Sequence, residues 1–162
     1  MNNLKYILRV IKKRYQYGVP NGVLLKWDRN RFKSNIQKVI GKNYVLEQHT
    51  TDFDYEFCNS YSIKIDINLY IYCLNLNISF IGDFYEINWS SMKKRTKQIK
   101  HSIRINNFEL INIENIIDNF FKKRGFIKIS DDIYNIKIEG IELELSELDE
   151  VTIGKCLFND SY

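Results

Sequence analysis

Residues 61–89 read YSIKIDINLYIYCLNLNISFIGDFYEINW, the longest alternation of apolar and polar residues in the chain. From Tyr61 to Cys73 the odd positions are apolar: Tyr61, Ile63, Ile65, Ile67, Leu69, Ile71 and Cys73. Ser62, Lys64, Asp66 and Asn68 alternate with them. After Cys73 the phase flips, with Leu74, Leu76, Ile78 and Phe80 apolar and Asn75, Asn77 and Ser79 polar. Strand side chains point alternately to opposite faces, so the run is sheet with one buried face. The flip requires either a bulge in a long strand or a turn at Leu74-Asn75. Leu-Asn is poor chemistry for a two-residue turn, which favours the bulge. Gly82-Asp83 provides a clearer reversal, with Gly at the first central position of a type II′ turn. It would pair Phe80 with Tyr85, Ile78 with Ile87 and Leu76 with Trp89.

Upstream, Leu4, Ile7, Leu8, Ile11 and Tyr15 recur at helical spacing, and Gly18 and Pro20 supply a stop. Lys5, Arg9, Lys12 and Lys13 lie mostly on the other side. This predicts a basic amphipathic helix that either packs on the sheet or docks on a membrane surface or nucleic acid. Asp28 is a suitable N-cap, with Trp27 and Phe32 placed as a staple. The helix it opens carries Phe32, Ile36, Val39 and Ile40 on one face and ends at Gly41. Residues 45–57 read as loop or short strand.

Downstream, residues 92–101 carry Lys93, Lys94, Arg95, Lys97 and Lys100 with almost no apolar period, the composition of an exposed loop. Ile103 and Ile105 predict a short strand, and Asn106-Asn107 a turn. Ile113, Ile116, Ile117, Phe120 and Phe121 form a continuous stripe, so a helix is expected over 113–124. Asn112 would cap it, Ile111 would staple to Ile116, and Gly125 would end it behind Lys122, Lys123 and Arg124. Residues 126–129 then read as a strand, 133–145 as a hairpin turning at Glu139-Gly140, and 146–150 as an acidic turn or short helix. A closing strand is expected over 151–157. This order predicts an α+β fold, a mainly antiparallel sheet with helices packed on one face, in a single domain spanning 1–162.

Composition narrows the class. The 162 residues are 44% hydrophobic and 14% aromatic, which excludes a disordered chain. No apolar run approaches the roughly 20 residues of a membrane span, and the basic start lacks the apolar stretch of a secretory signal. A cytoplasmic location is expected. Cys58, Cys73 and Cys156 are odd in number and lack C-x-x-C spacing, so buried thiols are expected instead of a disulfide framework or zinc site. Alanine is absent while Ile and Asn are abundant, as an A+T-rich bacterial coding sequence would give.

Charge is unevenly placed. Residues 1–46 hold eleven Lys/Arg against Asp28 alone, and residues 92–104 hold six with no acid. Residues 129–162 hold nine Asp/Glu against Lys137 and Lys155. Such asymmetry builds either a mosaic of solvated faces or patches that meet a charged macromolecule.

Catalytic signals are sparse. His49 and His101 are far apart in sequence, although a histidine pair can do acid/base work near neutrality. Asp52, Asp54 and Glu56 alternate and would share a side of an extended segment, where acids can hold Mg²⁺. Glu142 and Glu144 repeat that spacing without the E-x-K of a metal nuclease. Cys58 has no nucleophile signature around it. Phosphate loops, dinucleotide fingerprints, nucleophile elbows and zinc-protease motifs are all missing. The expectation is therefore a non-enzyme without metal or cofactor. The most concentrated single-sign feature is Glu139, Glu142, Glu144, Glu147, Asp149 and Glu150, suited to a cationic protein partner.

The ending Val151-Thr152-Ile153-Gly154-Lys155-Cys156-Leu157-Phe158-Asn159-Asp160 resembles the V-T-V-x-x-C-L-F-x-D ending of small bacterial immunity proteins from contact-dependent growth inhibition and other polymorphic toxin systems. The resemblance implies a toxin inhibitor that binds one cognate toxin domain, often a nuclease, and blocks it. The alternative is a nucleic-acid-binding protein using the basic N-terminal helix and the Lys93–Lys100 loop.

Overall fold

A computed structural model of the chain describes residues 2–20, 27–50 and 56–160. Among these residues six strands form one sheet: β1 (Leu46–Gln48), β2 (Cys58–Ile67), β3 (Tyr70–Ser79), β4 (Phe84–Lys93), β5 (Ile99–Lys100) and β6 (Ile127–Lys128). Their order is β1-β2-β3-β4-β5, and every pairing on that path is antiparallel. The short β6 pairs with the start of β4 in parallel, Phe84 opposite Ile127. Among the described residues five helices accompany the sheet: α1 (Asn2–Tyr15), α2 (Lys33–Ile40), α3 (Phe108–Lys122), α4 (Asp131–Tyr134) and α5 (Ile153–Leu157). The α+β class and the mainly antiparallel sheet are as the sequence predicts.

The phase flip is neither a bulge nor a turn at Leu74-Asn75. The chain reverses at Asn68-Leu69, where Asn68 takes a left-handed φ of 54° and Ile67 pairs with Tyr70. In a hairpin closed by two residues, partners have opposite parity. Odd residues of β2 therefore share a face with even residues of β3: Tyr61 meets Leu76 and Ile63 meets Leu74. Leu69, Ile71 and Cys73 keep the old parity by coincidence, which displaces the apparent flip; Leu69 is in fact 66% exposed.

The β3–β4 hairpin forms where expected, with its register displaced by two residues. Ile78 pairs with Tyr85, Leu76 with Ile87 and Leu74 with Trp89, across a four-residue loop, Phe80–Asp83. The loop is long because its apolar residues are used. Ile81 is fully buried, and the Phe80 ring packs 4.8 Å from Trp27 and 6.0 Å from Phe57. Gly82 serves close packing, since a Cβ there would lie 2.5 Å from the Phe84 ring.

One apolar cluster lies between the sheet and the pair α2 and α3. It holds Tyr61, Ile63 and Ile65 of β2, Leu74, Leu76 and Ile78 of β3, and Tyr85 and Trp89 of β4. Against them pack Ile36 and Ile40 of α2 with Leu110, Ile113, Ile117, Phe120 and Phe121 of α3. Each such buried aromatic or aliphatic side chain contributes roughly 2 kcal/mol relative to exposure. Two helix starts differ from expectation. α3 begins five residues early because Asn107, not Asn112, is the cap, its Oδ1 accepting from Glu109 N (2.9 Å) and Leu110 N (3.4 Å). α2 begins late: Asp28 instead closes a turn through its own side chain to Asn30 N. Phe32 precedes α2 in left-handed backbone, φ 66°, uncommon for a bulky residue. Its ring meets those of Phe120, Phe121 and Phe126 edge-on at 5.9, 5.7 and 5.5 Å, an arrangement that offsets the strain.

A second cluster closes the end of the sheet where β2 and β4 begin. It gathers Ile7, Ile11 and Tyr15 of α1 with Phe57, Cys58, Ile81 and Phe84, and with Ile138, Ile141, Val151, Ile153, Cys156, Leu157 and Phe158 of the C-terminal segment. The apolar stripe of α1 is thus packed inside the protein. Among the described residues no helix is long and apolar enough to cross a membrane.

Four further expectations are corrected. Residues 92–101 are exposed over 95–101 as expected but are not all loop: β4 runs on to Lys93 and β5 pairs with it, Met92 opposite Ile99. Ile103 and Ile105 form no strand and pack half-buried on the first cluster. No hairpin forms over 133–145, where α4 is followed by irregular chain. Finally, 151–157 is not a strand. Thr152 Oγ1 accepts from Lys155 N (3.3 Å) and starts α5. Alternating apolar residues could not distinguish a buried strand from so short a buried helix.

Gly154 of α5 faces the flat of the Tyr134 ring, and an added Cβ would lie 2.3 Å from it. Tyr134 stacks on Phe158 at 6.3 Å and cannot retreat freely. Gly154→Ala should therefore destabilise the protein by about 2 kcal/mol, read by denaturant unfolding. An unchanged midpoint would mean that this contact is not tight in solution.

Candidate functional site

The six acids singled out in the sequence lie on one loop. Ile138 N donates to Val151 O (2.9 Å) and Ile153 N to Ile136 O (2.9 Å), so the chain on either side of residues 139–150 is joined at the base. A surface loop whose ends are held close can be rigid without regular structure. Gly140, at φ 76°, turns the chain. Ile141 and Leu143 then point into the second cluster, while Glu139, Glu142, Glu144, Glu147, Asp149 and Glu150 are all exposed. Alternation survives here without a partner strand, because the inward residues anchor to α1 and α5 rather than to a sheet.

Asp160 holds the other side of the loop. Its carboxylate, fully buried, accepts from Leu145 N (2.6 Å) and from the Ser146 hydroxyl. Lys155 Nζ donates to the same hydroxyl oxygen (2.8 Å) and lies 3.9 Å from Glu150. Among the described residues that is the one ion pair made by the six acids, so the loop presents nearly its whole negative charge to solvent. Beside it a notch of about 370 Å³ is lined by Tyr15, Val19, Ile141, Glu142 and Leu148. Leu148 is 62% exposed in the middle of the acidic stretch. An apolar notch with a carboxylate in its lining suits the stem and head of a Lys or Arg side chain.

The other candidate residues do not converge. His49 follows β1, its Nε2 2.6 Å from Ser62 Oγ, and His101 follows β5 at the opposite edge of the sheet. Four strand spacings separate those edges, about 19 Å, too far for shared proton transfer. Asp52 and Asp54 lie outside the described residues. Glu56 bridges through its backbone to Asn159. Cys58 is buried, and desolvation pushes its thiol well above the ordinary range, the reverse of what a nucleophile needs. Among the described residues no group of three His, Cys, Asp or Glu could hold a metal ion.

The two basic features are also separate. α1 belongs to the cluster around Phe84, whereas the Lys93–Lys100 segment lies at the other end of β4. Nine residues of strand make that about 30 Å. The acidic loop sits at the α1 end, where Tyr15 and Val19 line its notch.

One polar feature escaped the sequence. The face of β2, β3 and β4 opposite the first cluster carries cross-strand rows: Ser60, Asn77 and Glu86; Ser62, Asn75 and Asn88; Lys64, Cys73 and Ser90. Ser60 Oγ donates to Asn77 Oδ1 (2.8 Å), and Asn77 Nδ2 donates to Glu86 Oε1 (2.7 Å). Glu86 is 5% exposed. Its burial lifts the carboxyl pKa, against the opposing hydrogen bonds of Asn77 and Asn88. The signal was present as Asn and Ser at alternate positions of three strands, but only the register shows that they form rows.

Two outcomes test these contacts. Asp160→Ala should cost about 2 kcal/mol by leaving the Leu145 N–H unpaired, with faster amide exchange at Leu145; unaltered exchange would mean the clamp is absent. For Glu86, the folded state keeps its proton at pH values where the unfolded chain has lost it. Its stabilising contribution is full at acid pH and is lost as pH rises through the folded pKa, at about 1.4 kcal/mol per tenfold change in proton affinity. Glu86→Gln should therefore gain stability relative to the parent as pH rises from about 4 to 7. Parallel stability curves would disprove it.

Set against known proteins, the chain matches no family model, no curated protein and no solved structure.

Proposed function

We propose that this chain is a toxin-neutralising immunity protein that works by binding, not by catalysis. Its acidic loop, residues 139–150, would cover the basic substrate-binding surface of a toxin domain, most simply a nuclease. The observation that carries this is the pinned presentation of charge: six exposed carboxylates on a loop whose base is hydrogen-bonded and whose inner residues are buried. A loop already held in shape loses little entropy on docking. Oppositely charged surfaces also speed encounter and exclude wrong partners. The C-terminal residues that resemble those of immunity proteins are the same ones that hold this loop, through Lys155 and Asp160.

The nucleic-acid alternative, in its form of one surface made by α1 and the Lys93–Lys100 segment, is not favoured by their separation along the sheet. Part of the α1 charge is also engaged, since Arg14 Nε donates to Ile81 O (3.0 Å) and Arg9 lies 5.5 Å above the Tyr6 ring.

The test is co-expression with the C-terminal domain of the product of the gene just upstream, scored by viability and by isolation of a complex. Rescue with a stable 1:1 complex is expected. Combined reversal of Glu142, Glu144 and Glu147 to Lys should slow association by about tenfold or more at low salt and flatten its salt dependence. A complex that forms equally fast with the reversed loop would remove the loop from the interface.

A further inference from the structure

At the end of the sheet away from the acidic loop, two turns are tied into one unit. Lys94 N donates to Leu69 O (2.9 Å), and Lys94 Nζ donates to Asn68 O (2.8 Å) and pairs with Asp66. The Asp66–Lys94 pair consumes the one acidic side chain that β2, β3 and β4 place at this end. Lys93, Arg95, Lys97 and Lys100 lie at these turns, His101 and Arg104 follow as the chain runs back along β4, and none of the six makes an ion pair among the described residues. Register sets the aromatic residues beside these cations. Tyr70 is opposite Lys93, while Tyr72 is opposite Ser91, itself opposite Lys100. The two tyrosine rings lie on one face, 6.1 Å apart, with Tyr70 37% exposed. Leu69 and Ile99, at 66% and 55% exposed, add apolar surface.

We infer that this end of the sheet binds single-stranded nucleic acid, the phosphates on Lys93, Arg95, Lys97 and Lys100 and an unpaired base on Tyr70. Clustered unpaired cations supply salt-sensitive attraction to phosphate. An exposed ring among them supplies a stacking platform that needs the base free of its partner strand. Tyr72, half-buried against the first cluster, supports the Tyr70 ring from the neighbouring row. This surface lies about 30 Å along the strands from the acidic loop, so it stands or falls separately from the toxin-binding proposal.

The experiment is fluorescence anisotropy of the full chain with labelled single-stranded RNA and DNA of about twenty nucleotides and a duplex of the same length, from about 50 to 200 mM salt. Binding of either single strand is expected, with log affinity falling with log salt at a slope of roughly −2 to −3. Tyr70→Ala should weaken it at least about fivefold with the slope unchanged, and Tyr70→Phe should keep it. Lys93→Ala with Lys100→Ala should shallow the slope by about 1 or more. A triple Lys5→Gln, Arg9→Gln, Lys12→Gln variant in α1 should bind like the parent, and circular dichroism would confirm that each variant is folded. Undetectable binding at the lowest salt overturns the inference. So does equal binding of the duplex, or indifference to Tyr70→Ala, since either would reduce the surface to a bare attraction for polyanions.

Discussion

A buried helix end must find partners for its last carbonyls, because each one left unmade costs a kilocalorie or more. Everything at the C-terminal end of this protein depends on how α5 meets that demand. Cys156 O accepts from the Tyr15 hydroxyl of α1 (2.7 Å), Leu157 O from the Ser79 hydroxyl of β3 (2.6 Å), and Phe158 O from the backbone N–H of Phe57 (2.8 Å). Three parts of the chain, more than 75 residues away in sequence, are thereby fixed to the end of α5 and the residue that caps it. The same segment carries Asp160 inward to hold Leu145 and Ser146. The position of the acidic loop follows from a hydrogen-bonding requirement on the helix next to it.

The sheet meets a different constraint. A hairpin closed by two residues forces opposite parity on paired positions, so one face takes Tyr61, Ile63, Leu74, Leu76, Tyr85 and Trp89 and the other takes Ser, Asn and Glu. Polar tips of the apolar face find partners at its rim. Tyr85 Oη donates to Asp118 (2.6 Å) and Trp89 Nε1 to Glu114 (2.7 Å). Lys128 and Lys122 hold those carboxylates in turn. Burial tends to raise the Asp118 pKa, but Lys122, the Tyr85 hydroxyl and Lys128 together bring it below the ordinary value. α3 is thus keyed to β4 by polar contacts at the edge of an aromatic core, which fixes its rotation as burial alone would not.

Charge of both signs meets at one end of the strands, and a single sign gathers at the other. The acidic loop and α1 share one end, and the Lys93–Lys100 turn occupies the other. The net charge of +4 does not reveal this arrangement. A molecule with two unlike ends can meet two unlike partners, and the toxin-binding and nucleic-acid proposals divide along that line.

The sequence by itself determined that residues 61–89 are sheet, the hairpin around Gly82, and the stripes of α1 and α3, because these rest on local periodicity; the reversal at Asn68-Leu69 between β2 and β3 was hidden by the apolar Leu69, Ile71 and Cys73. It also placed the six acids in one short segment. Register was only partly legible: Ile81 had to be known as buried, with Phe80 packed on Trp27 and Phe57, before the four-residue loop could be preferred to a two-residue turn. Where periods were short, the sequence was ambiguous. Residues 151–157 and 133–145 read as strands, yet one became a short helix and the other an anchored loop, their apolar residues buried in the second cluster. The tertiary structure alone decided that His49 and His101 stand at opposite edges and that the basic segments lie apart. It also decided that Ser60, Asn77 and Glu86 form a row. Those relations join residues distant in the chain, and their energy exists only after the intervening loops have closed.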